Sequence, residues 1–164
     1  EIIKILDQKS KFLCVNVQTN SGNRGFNLFK KFKKAQLMVL DEPEIRLGLS
    51  ERYMNLSDLI NHKSLTCYKN LIVTLSVKGM VLRDTISNKK NNVFLPAFNT
   101  KAVDTLGAGD AAYSYASIFS KNTRNLVLIG LLSSIAAGIK ASILGHENFV
   151  KHKDVERTLD AILK

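Results

Sequence analysis

Three short apolar runs punctuate the chain, each long enough for a strand and far too short to span a membrane. Phe12 to Val17, Leu37 to Leu40 and Leu71 to Leu75 are nearly continuous in apolar side chains. That is the pattern of strands buried on both faces. Between them the period changes. Phe26, Phe29 and Phe32 recur at helical spacing, and Leu56 to Ile60 reads as a second helical segment. Met80 to Arg83 reads as a strand returning from a turn at Gly79. Ser87 to Asn92 reads as a polar loop tip, and Val93 to Pro96 as a short strand ended by proline. Two long helical patterns follow, about Asp110 to Ser120 and Asn125 to Ile143. A last one, about Asp154 to Leu163, puts Val155, Leu159 and Ile162 on one face. Glu1 to Asp7 reads as the tail of a helix entered in mid-course. Strands alternating with helices predict an α/β fold, a mainly parallel sheet flanked by helices.

A length of 164 residues fits one domain, 1–164, with a core of its own. The longest apolar stretch, Leu126 to Leu144, is interrupted by Gly130, Ser133, Ser134, Gly138, Lys140 and Ser142, so no membrane partner is expected. Cys14 and Cys67 lack metal-ligand spacing. With no signal-peptide pattern at the start, they suggest a reducing, cytoplasmic setting with both thiols buried; a disulfide between them stays open. The net charge of +10 fits either a nucleic-acid partner or a solvated, lysine-rich surface. The lysines are scattered over Lys30-Lys31, Lys33-Lys34, Lys89-Lys90 and the last helix, not interleaved with aromatics. A nucleic-acid partner is therefore not expected. His62, His146 and His152 are too dispersed to suggest a metal site.

Chemistry concentrates after the strands, where open α/β sheets place their ligands. Asp41 is placed to cap a helix that has Pro43 in its first turn. The most informative segment is Asp104-Thr105-Leu106-Gly107-Ala108-Gly109-Asp110. Small residues at 107 to 109 leave the backbone bare just before a helix, and the first amides of a helix lack partners and attract anions. Asp110 then falls in the first turn, beside the place for a phosphate. A carboxylate there is costly unless it takes a proton from an attacking hydroxyl.

This seven-residue string resembles the second signature of the ribokinase-like (PfkB-type) sugar kinases, Asp-Thr-x-Gly-Ala-Gly-Asp, with every defined position present. Thr74 to Gly79 resembles the family's Thr-x-Gly-x-x-Gly turn, with Ser76 in place of the first glycine. Asp41 to Glu44 resembles its Asn-x-x-Glu, with Asp41 in place of the asparagine. Ser133 to Ile139 resembles the small-residue helix beside the adenine, with Ser134 where an asparagine is frequent. The closest likeness is to the kinase half of heptose-phosphate kinase and nucleotidyltransferase enzymes. Ala112, Ser114 and Tyr115 depart from the usual residues after the signature.

The resemblance implies ATP-dependent phosphorylation of a sugar or sugar phosphate. Asp110 would be the base, with Gly107, Ala108 and Gly109 as the anion hole. Thr74, Ser76, Gly79 and Ser134 would serve the nucleotide, and Glu44 would act on Mg²⁺ through water. The likeness runs from Lys11 to Leu163 but corresponds only to the C-terminal, nucleotide-binding half of the family's domain. The chain is therefore expected to lack kinase activity by itself, and homo-oligomerisation is open. The alternative is a catalytically incomplete kinase fragment that serves binding or assembly.

Overall fold

The computed structural model describes residues 1–84, 92–99, 102–145 and 147–164. The apolar runs become strands β1 (Cys14–Asn16), β2 (Ala35–Asp41) and β3 (Tyr68–Thr74). β1 pairs with β2 and β2 with β3, both in parallel, so that Val15, Met38 and Leu71 lie in one row. Leu37 to Leu40 and Leu71 to Val73 are all buried, which is why apolar residues run on without alternation. Only residues 75–79 separate β3 from β4 (Met80–Asp84). A parallel crossover needs about a dozen residues or more, so β4 turns back and the sheet is mixed. With β5 (Asn92–Leu95) the strand order is β1-β2-β3-β4-β5. The helices are α1 (Ile2–Lys9), α2 (Glu42–Leu49), α3 (Leu56–Ile60), α4 (Ala108–Asn122), α5 (Leu126–Ala141) and α6 (His152–Leu163). The α/β class read from the sequence holds.

The chain divides into two compact units, Glu1–Thr74 with Val81–Val93, and Leu75–Met80 with Phe94–Lys164. In the first, α2 packs on β2. The buried Arg83 guanidinium donates to the carbonyls of Ile60 and Leu65. In the second, Leu132, Ile135 and Ala136 of α5 and Val155 of α6 form a core, with Tyr115 and Phe119 of α4 against it.

Some expectations fail. Phe26, Phe29 and Phe32 do not form a helix; only Phe29–Lys31 make a single 3-10 turn. The Tyr68 hydroxyl lies against the carbonyls of Phe29 (3.0 Å) and Phe32 (2.9 Å), and its ring meets that of Phe29 edge-on. The Phe29 carbonyl also takes the Phe32 amide at 3.0 Å, which closes the 3-10 turn, while Phe26 is left exposed. β1 is shorter than the Phe12–Val17 run because the Gln36 side chain takes the Leu13 amide at 2.6 Å and Phe12 stays partly exposed. Cys67 is exposed, not buried: it follows the short turn Lys63–Leu65, outside the β3 ladder. Cys14 is half-buried, and no disulfide joins it to Cys67. Of the loop tip expected over Ser87 to Asn92, only Asn92 lies within the described residues, where it opens β5. His146 also lies outside them. Among the described residues no group of His, Cys, Asp and Glu could hold a metal ion, and no helix is long and apolar enough to cross a membrane.

Candidate active site

In the first unit the candidate residues gather at the carboxyl ends of β2 and β3. Thr74, the last residue of β3, pairs in register with Asp41, the last of β2. Asp41 caps α2. Its carboxylate accepts from the Glu44 amide at 2.6 Å, and Glu44 accepts from the Asp41 amide at 2.9 Å. The cap and Pro43 in the first turn are what the sequence led us to expect of Asp41, and the return bond to Glu44 completes a capping box.

Glu44 differs from the solvated first-turn acid such a box often contains. It is only 7% exposed. Burial pushes its carboxyl up to about 7 from an ordinary 4.5, and burial raises Asp41 as well. A folded-state value above the unfolded one means that the protonated acid favours folding. The contribution is complete below the unfolded value of 4.5 and lost as the pH rises to about 7. Glu44→Gln keeps an acceptor for the Asp41 amide and removes this titration. In the absence of nucleotide and metal, the variant should be the more stable above pH 7, by roughly 2–3 kcal/mol. The two unfolding midpoints should converge near pH 4.5. Parallel midpoints from pH 5 to 8 would contradict this.

The second unit opens with the turn 75–79. The Leu75 amide donates to Gly79 O at 2.8 Å and the Gly79 amide to Ser76 O at 3.1 Å. Ser76 has φ 55°, a left-handed conformation that costs a non-glycine residue about 1–2 kcal/mol. This is the position where the resembled turn has its glycine, so the backbone demand persists without the residue that meets it best. Gly79 has φ 111°, and its Cα lies hard against the backbone of Leu95, Pro96 and Ala97.

Pro96, Asn99, Val103 and Asp104 all lie against one face of α5. Ser134 Oγ donates to Pro96 O at 3.4 Å, and Asn99 Nδ2 donates to Gly138 O at 3.3 Å. The amides of Val103 and Asp104 both donate to Ala141 O. Positions 134, 138 and 141 share a helix face, and their small side chains let a passing backbone approach. Ser134 is thus buried and engaged with Pro96.

This track delivers the chain to the glycine loop. Asp104 Oδ1 accepts from the Leu106 amide and Oδ2 from the Gly145 amide, both at 2.9 Å. Gly107 stands at the N-cap of α4 with φ 77°, a value that suits glycine, and it brings no capping side chain. The Ala108 amide donates to Thr105 O at 3.1 Å, and that of Ala111 to Gly107 O at 2.9 Å. Of the expected anion hole, Ala108 therefore has its amide engaged. Among the described residues, the amides of Gly109 and Asp110 at the start of α4 have no partner.

Asp110 is exposed in the first turn, and Ser114 Oγ donates to its backbone carbonyl, not to its carboxylate. A cavity of about 460 Å³ adjoins this turn, lined in part by Gly107, Asp110, Ser114, Tyr115 and Lys140. Lys140 was no candidate in the sequence. Its one signal there was a lone lysine in a helix of small and apolar residues.

The family model of the pfkB carbohydrate kinases matches residues 1–115, a stretch that contains the turn at Gly79 and the whole glycine loop. The chain belongs to the pfkB family of carbohydrate kinases. Kinases of this family use ATP. The match ends within α4, so Ser134 and Lys140 fall outside it.

Solved structures give the same fold. Ribokinase from Thermotoga maritima is similar with a TM-score of 0.76 at 21% identity, over 97% of this chain and 52% of that one. Arabidopsis thaliana ribokinase, complexed with ribose and ATP, gives 0.77 at 16% identity, over 96% of this chain and 50% of that one. Phosphofructokinase-2 from Escherichia coli, in complex with potassium, gives 0.76 at 14% identity, over 99% of this chain and 51% of that one. At such identities the likeness is one of fold. The chain spans about half the length of these structures. No curated protein matches it.

Proposed function

We propose that this chain binds the nucleotide and carries the base for ATP-dependent phosphorylation of a hydroxyl on a sugar or sugar phosphate. Residues 1–164 form the C-terminal, nucleotide-binding part of one ribokinase-like domain. The observation behind this reading is the start of α4, where open amides meet an exposed carboxylate that has no hydrogen-bond partner among the described residues. Asp110 takes the proton of the acceptor hydroxyl as its oxygen bonds to the γ-phosphorus. The bond from that phosphorus to the bridging oxygen breaks, and ADP leaves. The amides of Gly107 and Gly109 and the start of α4 stabilise charge on the group in transit. Thr74, Ser76 and Gly79 are assigned to the nucleotide phosphates, and Ser134 to the wall beside the base.

When bound, Mg²⁺ neutralises phosphate charge. Glu44 suits a place in its water shell, as a buried acid without a cationic partner among the described residues. Mg²⁺ commonly relies on waters and phosphates plus one or two carboxylates, so a dedicated cluster of protein ligands is not required.

Gly109 supplies the test. It is exposed, its φ is not positive, and a Cβ there would meet nothing within 4 Å. Gly109→Val should therefore fold as well as wild type, while its methyl groups crowd the open amides. ATP affinity, measured by calorimetry, should fall about tenfold or more with the melting temperature held within about 2 °C. Unchanged affinity would show that this loop does not hold phosphate.

One observation favours a second reading, a binding or assembly domain without catalysis: a strained serine at the position of the turn's glycine. Sugar-dependent ATP consumption by the full gene product separates the two.

A further inference from the structure

Lys140 is one of five buried polar or charged residues among those described, and it lies in the last turn of α5 at 8% exposure. Its position is unusual. A Cβ built on Gly107 would stand 3.2 Å from Lys140 Cε, so the lysine stem runs directly beneath the N-cap of α4. Nζ lies one C–N bond further, about 1.5 Å, and so within about 5 Å of that point. The ammonium donates to Gly145 O at 2.5 Å. The amide of the same Gly145 is held by Asp104, whose other oxygen holds Leu106 at the entrance to the loop. Lys140 also lines the cavity that Asp110 faces. Among the described residues the ammonium, with three donors, makes this single hydrogen bond.

We infer that Lys140 is a positioning residue for the phosphate loop, a fixed internal cation behind Gly107 that favours a polyanionic ligand there. The inference rests on the nucleotide-binding reading above. A positive charge locked behind open amides raises the affinity for a triphosphate and does nothing for an uncharged nucleoside. A lysine that merely caps the end of α5 would support both ligands equally, through the fold.

The experiment titrates the 164-residue chain with ATP and, separately, with adenosine, for wild type, Lys140→Met and Lys140→Arg. Lys140→Met should weaken ATP at least about tenfold, leave adenosine within about twofold and flatten the salt dependence of ATP binding. Lys140→Arg should recover most of the ATP affinity. Equal loss of ATP and adenosine, or wild-type ATP binding by Lys140→Met, would overturn the role of Lys140 and leave the nucleotide reading standing. Failure of the wild-type chain to bind ATP would overturn both. Should Lys140→Met not fold, Lys140→Gln with the same ligand pair decides on the same terms.

Discussion

Asp110→Asn should reduce phosphorylation by the full gene product about 10²–10⁴-fold while ATP affinity stays within about threefold. The structure makes this an unusually clean substitution. Asp110 is exposed, its carboxylate has no partner among the described residues, and Ser114 binds its backbone alone. Stability should shift only by the lost attraction to the start of α4, about 0.3–1 kcal/mol. Asparagine keeps the shape and the open amides and removes the proton acceptor. Steady-state kinetics beside nucleotide titration measure the two quantities independently. Turnover near wild type would remove Asp110 from the chemistry. A parallel loss of affinity would make it a binding group and not a base.

The largest effect on folding should come from Gly79→Ala, at least about 3 kcal/mol, or roughly 6–12 °C in melting temperature. Two costs coincide at this position. The backbone angles of φ 111° and ψ −134° belong to a region that L side chains rarely enter. The added Cβ would also stand 2.0 Å from Leu95 O and 2.7 Å from both Pro96 C and Ala97 N, all main-chain atoms that cannot swing aside. Gly25→Ala separates the two costs, because Gly25 has φ 84° but open space around it. It should lose only about 1–2 kcal/mol. Urea unfolding of both variants would show the difference. Similar losses would mean that the contact with β5 and Pro96 relaxes freely.

The two kinds of information in the sequence were legible to different degrees. β2 and β3 were plain because strands buried on both faces need unbroken apolar runs, and Leu37 to Leu40 and Leu71 to Leu75 supply them. Asp41 was legible as a cap because a capping box is local, closed within four residues. The glycine loop was legible for the same reason: bare backbone before a helix is a local instruction. What the sequence hid was long-range. Nothing near Phe29 reveals that a phenol 39 residues away lies against its carbonyl. The engaged Ala108 amide and the Lys140 stem behind Gly107 depend on how the loop folds back on itself and on α5. The smallness of Ser134 and Gly138 marked close packing without saying that the approaching chain would be Pro96 to Asn99.

The dependence of the glycine loop on α5 has a consequence for the order of synthesis. Every support named for the loop from outside itself, Ala141 O, the Lys140 stem and the Gly145 amide, is translated after the signature is complete. At roughly 5–20 residues per second a ribosome needs a few seconds to pass from Asp110 to Gly145. During that interval the nascent chain displays an intact Asp104-to-Asp110 string with nothing to hold it in shape. A premature stop in α5 would yield a product that keeps every letter of the motif and lacks its scaffold.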